Sequence, residues 1–251
     1  MIELDRYTTT SLRAFLEAAD HPVVLFPVGS VEPHGPHLPL ATDSMLSAEN
    51  ARRAAVELRT RAVEAVVAPT LPYGVTDFAA GFSGATSIPG EAIVTLLVAA
   101  AGAWLDDGFC HVCFINHHLE PGQMAALEEA ERRLVESHGA AAVSYPRVVS
   151  RRWGPGLGAE FRSGACHAGR YETSMVLAIE AGAVDGEAAA ALPEVAVSLS
   201  DAIRDGVATF TEAGATHAYT GDPAAATAKE GNALLGVLTE MVVTEVLEKV
   251  L

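Results

Sequence analysis

Short apolar runs rich in β-branched residues punctuate this chain, and longer mixed stretches separate them. The runs are Pro22 to Val28, Glu64 to Ala68, Cys110 to Ile115 and Ala140 to Tyr145. They are largely continuous rather than alternating, and turn signals bound them. Each therefore predicts a strand covered on both faces. Helical patterns fill the intervals. One covers Ser44 to Leu58, behind Asp43, a residue type that caps helix N-termini. Gly90 to Asp106 stops just before Gly108, and Pro121 to His138 opens on a proline suited to a first helical turn. Glu172 to Ala181 and Ala224 to Leu251 complete the predicted helices. Strands alternating with helices predict an α/β fold with a mostly parallel sheet and helices on both sides, in a single domain over residues 1–251. Such sheets place ligands beyond the carboxyl ends of their strands.

Composition narrows the picture. Half of the 251 residues are hydrophobic and 19% are charged, which excludes global disorder. The net charge of -16 sets the surface against phosphate backbones and argues against nucleic acid as a general partner. No apolar run approaches the ~18 residues of a membrane span, and the first residues lack the basic and apolar regions of a signal peptide. With three cysteines there is no disulfide framework, so the expected compartment is the cytoplasm. Cys110 and Cys113 form a C-x-x-C on a predicted strand. Residues three apart there face opposite ways, so they are expected to be structural.

Two polar clusters follow directly after predicted strands. Residues 29–44, GSVEPHGPHLPLATDS, crowd Glu32, His34, His37 and Asp43 among three prolines. Carboxylates and imidazoles without thiolates suit Zn²⁺, Mn²⁺ or Fe²⁺, and the prolines stiffen the loop that would hold them. A solvated polar loop is the competing reading. The second cluster, Asn116 to Pro121, offers His117, His118 and Glu120. His118 and Glu120 share a face if the chain is extended, and His117 then points elsewhere. Here helix capping with a core histidine competes. Two such clusters at two strand ends of one sheet favour a shared site. A third patch, Cys166 to Ser174, holds His167, a candidate general acid, and Glu172, which could orient that imidazole or reach the metal site. The glycine-rich stretch Gly154 to Gly164 is expected to be a loop that forms a flap or rim of the site.

GSVEPHGPHLPLATD, NHHLEP, HAGRYETS and GDPAAATAKEG, with a looser PYGVTDFAAGFSGATS, occur in the order of the corresponding creatininase (creatinine amidohydrolase) motifs, and the chain resembles that family. The resemblance implies a three-layer α/β/α sandwich and two divalent metal ions per subunit, Zn²⁺ first, with Mn²⁺ or Fe²⁺ as alternatives. It places the metal ligands on Glu32, His34, Asp43, His118 and Glu120, with Asp43 bridging, and leaves His37 and His117 as neighbours. Catalytic roles fall on His167, Glu120 and Glu172, with His167 the preferred acid for the leaving nitrogen. It also implies a homo-oligomer, commonly a hexamer.

The chain departs from the family pattern at Pro33, His117 and Pro121, where Gln, Gly and Asn are usual. Leu119 stands where creatininase proper has an aromatic residue, and FRSGAC lacks a tryptophan found before the histidine matching His167. Trp153 is the expected replacement for that lost aromatic wall. The expected activity is hydrolysis of a cyclic amide or formamide C–N bond by metal-activated water. The alternatives are a peptidase trimming a short precursor peptide, as in mycofactocin biosynthesis, and a metal-binding protein without catalysis.

Overall fold

The computed structural model describes residues 2–251. Its centre is a four-stranded sheet, with β1 at Val23–Val28, β2 at Ala65–Val67, β3 at His111–Asn116 and β4 at Val143–Ser144. The order is β2-β1-β3-β4 and every pairing is parallel. β1, β2 and β4 fall inside the predicted runs, β3 runs one residue past its run to Asn116, and β4 is much shorter than its run.

The side-chain period of two splits each strand between two cores. Val23 and Leu25 of β1, Ala65 and Val67 of β2, and Cys113 and Ile115 of β3 face one core. Val24, Phe26 and Val28, Val66, and Val112 and Phe114 face the other. The first core is closed by α2 (Thr42–Thr60), α6 (Arg170–Glu180) and α9 (Ala228–Val250). The second is closed by α3 (Gly90–Asp107) and α4 (Pro121–His138). This is the expected α/β/α sandwich. Burying each large side chain, such as Leu25 or Phe114, contributes roughly 1.5–3 kcal/mol.

Proline in a central strand is unusual, yet Pro27 lies in the middle of the sheet. Its carbonyl accepts from Leu71, on the side where β2 has already ended at Val67, so no ladder donor is missing there.

Some expectations shift. The helix α1, Thr9–Ala18, was not predicted; Thr8 and Ser11 form its capping box, and Leu12, Phe15 and Leu16 pack on the second core. The short helices α7 (Gly186–Ala191) and α8 (Leu199–Arg204) are also additions. Asp43 does not cap α2: the helix begins at Thr42, and the Asp43 carboxylate turns away to accept from Ser30 Oγ at 2.6 Å. The glycine-rich stretch is not a rim loop. It contains α5, Gly158–Ser163, and anchors itself behind α6 through buried Leu157 and through Phe161 against Tyr171. Cys113 is buried and Cys110 exposed, as opposite strand faces require. Among the described residues, no helix is long and apolar enough to cross a membrane.

Candidate metal centre

β1 and β3 are adjacent, and the chain leaves them toward opposite sides of the sheet. Their carboxyl ends thus frame the crevice where an open parallel sheet presents its ligand site. Gly29 ends β1 against the start of α2, where a Cβ would lie 2.6 Å from Ser44 N, so only glycine allows so close a crossing. The next loop folds on itself through a His34–Leu38 bridge, with Gly35 at φ +66°.

Glu32, His34, Asp43, His118, His167 and Glu172 converge in this crevice, all buried. His34 donates Nδ1–H to the Glu32 carbonyl at 3.1 Å, which frees Nε2 to face the carboxylates. That Nε2 lies 3.5 Å from Asp43, 3.6 Å from Glu172 and 3.9 Å from Glu32. His118 is oriented the other way round: its Nε2–H goes to the Val75 carbonyl at 2.6 Å. Its Nδ1 lies 3.1 Å from Asp43 and 3.2 Å from Glu32. Each imidazole is therefore fixed by a backbone carbonyl and aims its other nitrogen at carboxylates, the arrangement that orients metal-ligating histidines.

Glu120 stands further out. Its carboxylate accepts from Asp77 N at 2.8 Å and Phe78 N at 3.3 Å, and approaches His118 Nε2 at 3.9 Å. Glu172, by contrast, lies within the cluster and accepts from Ala168 N at 2.6 Å. It does not orient His167, whose Nε2–H is held by the Pro33 carbonyl at 3.0 Å. His167 Nδ1 faces Glu32 at 3.7 Å. His37 and His117 are turned away, onto Thr173 Oγ1 at 2.8 Å and Asn50 Nδ2 at 3.1 Å.

Burial sets the electrostatics. It opposes charge on Asp43, but His34 and His118 beside it hold that carboxyl well below its usual range. Burial likewise opposes protonation of His34, yet Asp43, Glu172 and Glu32 raise it to about 10. Burial raises Glu172 to about 8, with the neighbouring Asp43 and Glu32 carboxylates adding to the effect and His34 opposing it. His167 is lowered to about 4 by burial, with His34 adding to the effect.

Among the described residues, three groups could each hold a divalent ion: Glu32, His34 and His167; Glu32, His118 and Glu120; and His34, Asp43 and Glu172. Glu32 Oε2 and His34 Nε2 are buried with no hydrogen-bond partner. Buried polar atoms without partners are costly, and a cation among these donors would satisfy both.

Above the cluster opens a cavity of about 250 Å³ with a mostly apolar lining that includes Phe78, Leu119, Met124, Leu199, Ile203 and Phe210. Phe210 stacks on His167 with ring centres 4.3 Å apart, and Phe78 meets Phe210 edge-on at 5.0 Å. These two rings supply the aromatic wall. Trp153 does not: its indole bonds Glu245 at 2.7 Å and packs toward the first core. Phe210 lies in a stretch with no motif, so a single sequence gives no signal for it.

An α/β/α sandwich that gathers buried carboxylates and imidazoles at two adjacent strand ends is an architecture that could hold metal ions. The chain belongs to the creatininase family: residues 5–246 match the family described as Creatinine amidohydrolase. It is a hydrolase of C–N bonds. The "Mycofactocin precursor peptide peptidase" of Mycobacterium ulcerans (strain Agy99) is 32% identical over 90% of this chain and 84% of its own length. The protein of the same name in Mycolicibacterium smegmatis is 35% identical over 84% of this chain and 78% of its own. The crystal structure of a creatinine amidohydrolase superposes with a TM-score of 0.74 at 20% identity, covering 99% of this chain and 98% of that one. One described as "Creatininase Mn" does so with 0.73 at 20% identity, over 99% and 98%.

Proposed function

We propose that this chain is a dimetal peptidase acting on a short peptide. The carrying observation is the pairing of a buried, under-satisfied carboxylate–imidazole cluster with an apolar, aromatic-walled cavity above it. The identity to two peptide peptidases, above that to the creatininases, supports a peptide over the cyclic amide expected from the motifs.

Glu32, His34, Asp43, His118 and Glu172 would hold the ions, with Glu120 at the edge of the set. Asp43 offers one oxygen toward each histidine, which suits it to bridge. The oxygen and nitrogen donors fit Zn²⁺ or Mn²⁺. Bound divalent ions supply an acidified water and polarise the scissile carbonyl. The protein's own part is orientation and proton handling. The Val75 and Glu32 carbonyls fix the two imidazoles, and the apolar wall excludes bulk water. His167 gives its Nε2–H to Pro33 and is otherwise unprotonated, so its Nδ1 would take up the proton released by the attacking water and pass it to the departing nitrogen.

The test is a panel of short peptides with apolar ends, creatinine and simple formamides, each incubated with Zn²⁺- or Mn²⁺-loaded protein and with chelated protein. Metal-dependent peptide cleavage is expected. Turnover of creatinine alone would return the reading to a small cyclic amide.

A further inference from the structure

Glu160 takes no part in the chemistry above, yet its carboxylate joins three segments behind the site. It projects from α5, and Oε1 accepts the backbone N–H of Tyr171 at 2.8 Å. Its Oε2 accepts that of Asp222 at 2.8 Å, and the Arg170 N–H also donates to the carboxylate. Arg170 and Tyr171 open α6, where free N–H groups form the positive end of the helix. Asp222 belongs to the turn that leads into α9.

Two glycines admit this carboxylate. A Cβ at Gly169 would lie 2.6 Å from Glu160 Oε1, and one at Gly221 would collide with Oε2. Gly169 of HAGRYETS and Gly221, the first glycine of GDPAAATAKEG, thus both make room for Glu160, and Gly169 also admits the Thr220 carbonyl. The segment between the tied points carries the site. The His167 carbonyl accepts from Thr220 N at 2.8 Å, and Ala168 N donates to Glu172. Ala168 itself sits at φ +51°, a left-handed conformation that a residue with a Cβ adopts only when its surroundings impose it.

We propose that Glu160 is a positioning residue: by clamping the start of α6 to the Gly221–Asp222 turn it sets where the His167 ring and the Glu172 carboxylate stand. Its consequence for metal binding rests on the dimetal reading, while the placement itself can be read in metal-free protein. Both oxygens are needed. A glutamine would turn an NH₂ toward one of the donating amides, and an aspartate is a methylene too short.

The experiment compares wild type, Glu160→Gln and Glu160→Ala. Imidazole NMR of metal-free protein follows the His167 resonance, assigned by its absence in His167→Ala and displaced upfield by the Phe210 ring face. In Glu160→Gln that resonance moves toward the free-histidine position, while the His111 resonances and the unfolding midpoint stay near wild type. Titration with Co²⁺, read by its visible absorption, weakens roughly tenfold or more in apparent dissociation constant, the range typical of losing support behind metal ligands. An unmoved His167 resonance in Glu160→Gln overturns the role, whether or not Glu160→Ala folds. If wild type takes up no Co²⁺ but the resonance still moves, the dimetal reading fails and the clamp stands.

Discussion

Of the crowded histidines, the ones that matter are separated by where their second nitrogen goes. His34 and His118 each give one N–H to a backbone carbonyl and face carboxylates with the other nitrogen. His37 and His117 engage Thr173 and Asn50 instead. The alternation of an extended chain already separated His118 from His117. The choice of His34 over His37 came from the family motif, because a proline-rich loop has no fixed period. If His167 is the acid, His167→Ala lowers turnover about 10²- to 10⁴-fold with metal content unchanged, measured by kinetics and metal analysis together. Loss of metal in that variant would make His167 a ligand, a role its place beside Glu32 and His34 also permits. A second residue-scale prediction concerns His111, which gives Nδ1–H to the Ala141 carbonyl at 2.6 Å and accepts from Ser144 Oγ at 2.8 Å. Burial lowers it from 6.5 to about 4. Between those pH values the unfolded chain binds a proton that the folded protein refuses, so stability falls as pH drops through this window. In His111→Gln, the acid slope of unfolding free energy becomes shallower by up to one proton, about 1.4 kcal/mol per pH unit. Parallel wild-type and variant curves would show that His111 is not a source of the slope.

At the scale of elements, the strands and long helices were legible because burial on both faces leaves continuous apolar runs. The short helices α5, α7 and α8, of which only α8 lines the cavity, were not, since six-residue helices carry too few periods to register. Phe210 was invisible for a related reason: its importance lies in facing His167 across the fold, not in any local pattern. Helix packing yields its own prediction. Gly231 lets α9 lie against α6, where a Cβ would sit 2.8 Å from Met175 N and still closer to the Ser174 carbonyl. Rigid backbone cannot yield as a side chain can. Gly231→Ala therefore destabilises by about 1–3 kcal/mol or more, seen as a lower urea midpoint. An unchanged midpoint would show that α9 can shift freely. Because α6 carries Glu172, the same variant also weakens metal binding.

For the whole molecule, the strand order explains why distant segments make one site. β1 and β3 are sequentially remote yet adjacent, and their ends bring residues 32–43 together with residues 118–120. The third group, His167 from the loop before α6 and Glu172 from its first turn, was tied to the site by the family motif alone, because no strand end of the predicted sheet leads to it. On the family resemblance we propose a homo-oligomer, and light scattering of the purified protein reads this directly, a monomer mass counting against it. The central claim remains the metal pair. Its most direct test is metal analysis of wild type and Asp43→Ala after dialysis against trace Zn²⁺. Two ions per chain are predicted for wild type and at most one for the variant, because Asp43 faces both histidines. A wild type that binds none, or an Asp43→Ala protein that keeps both, would contradict it.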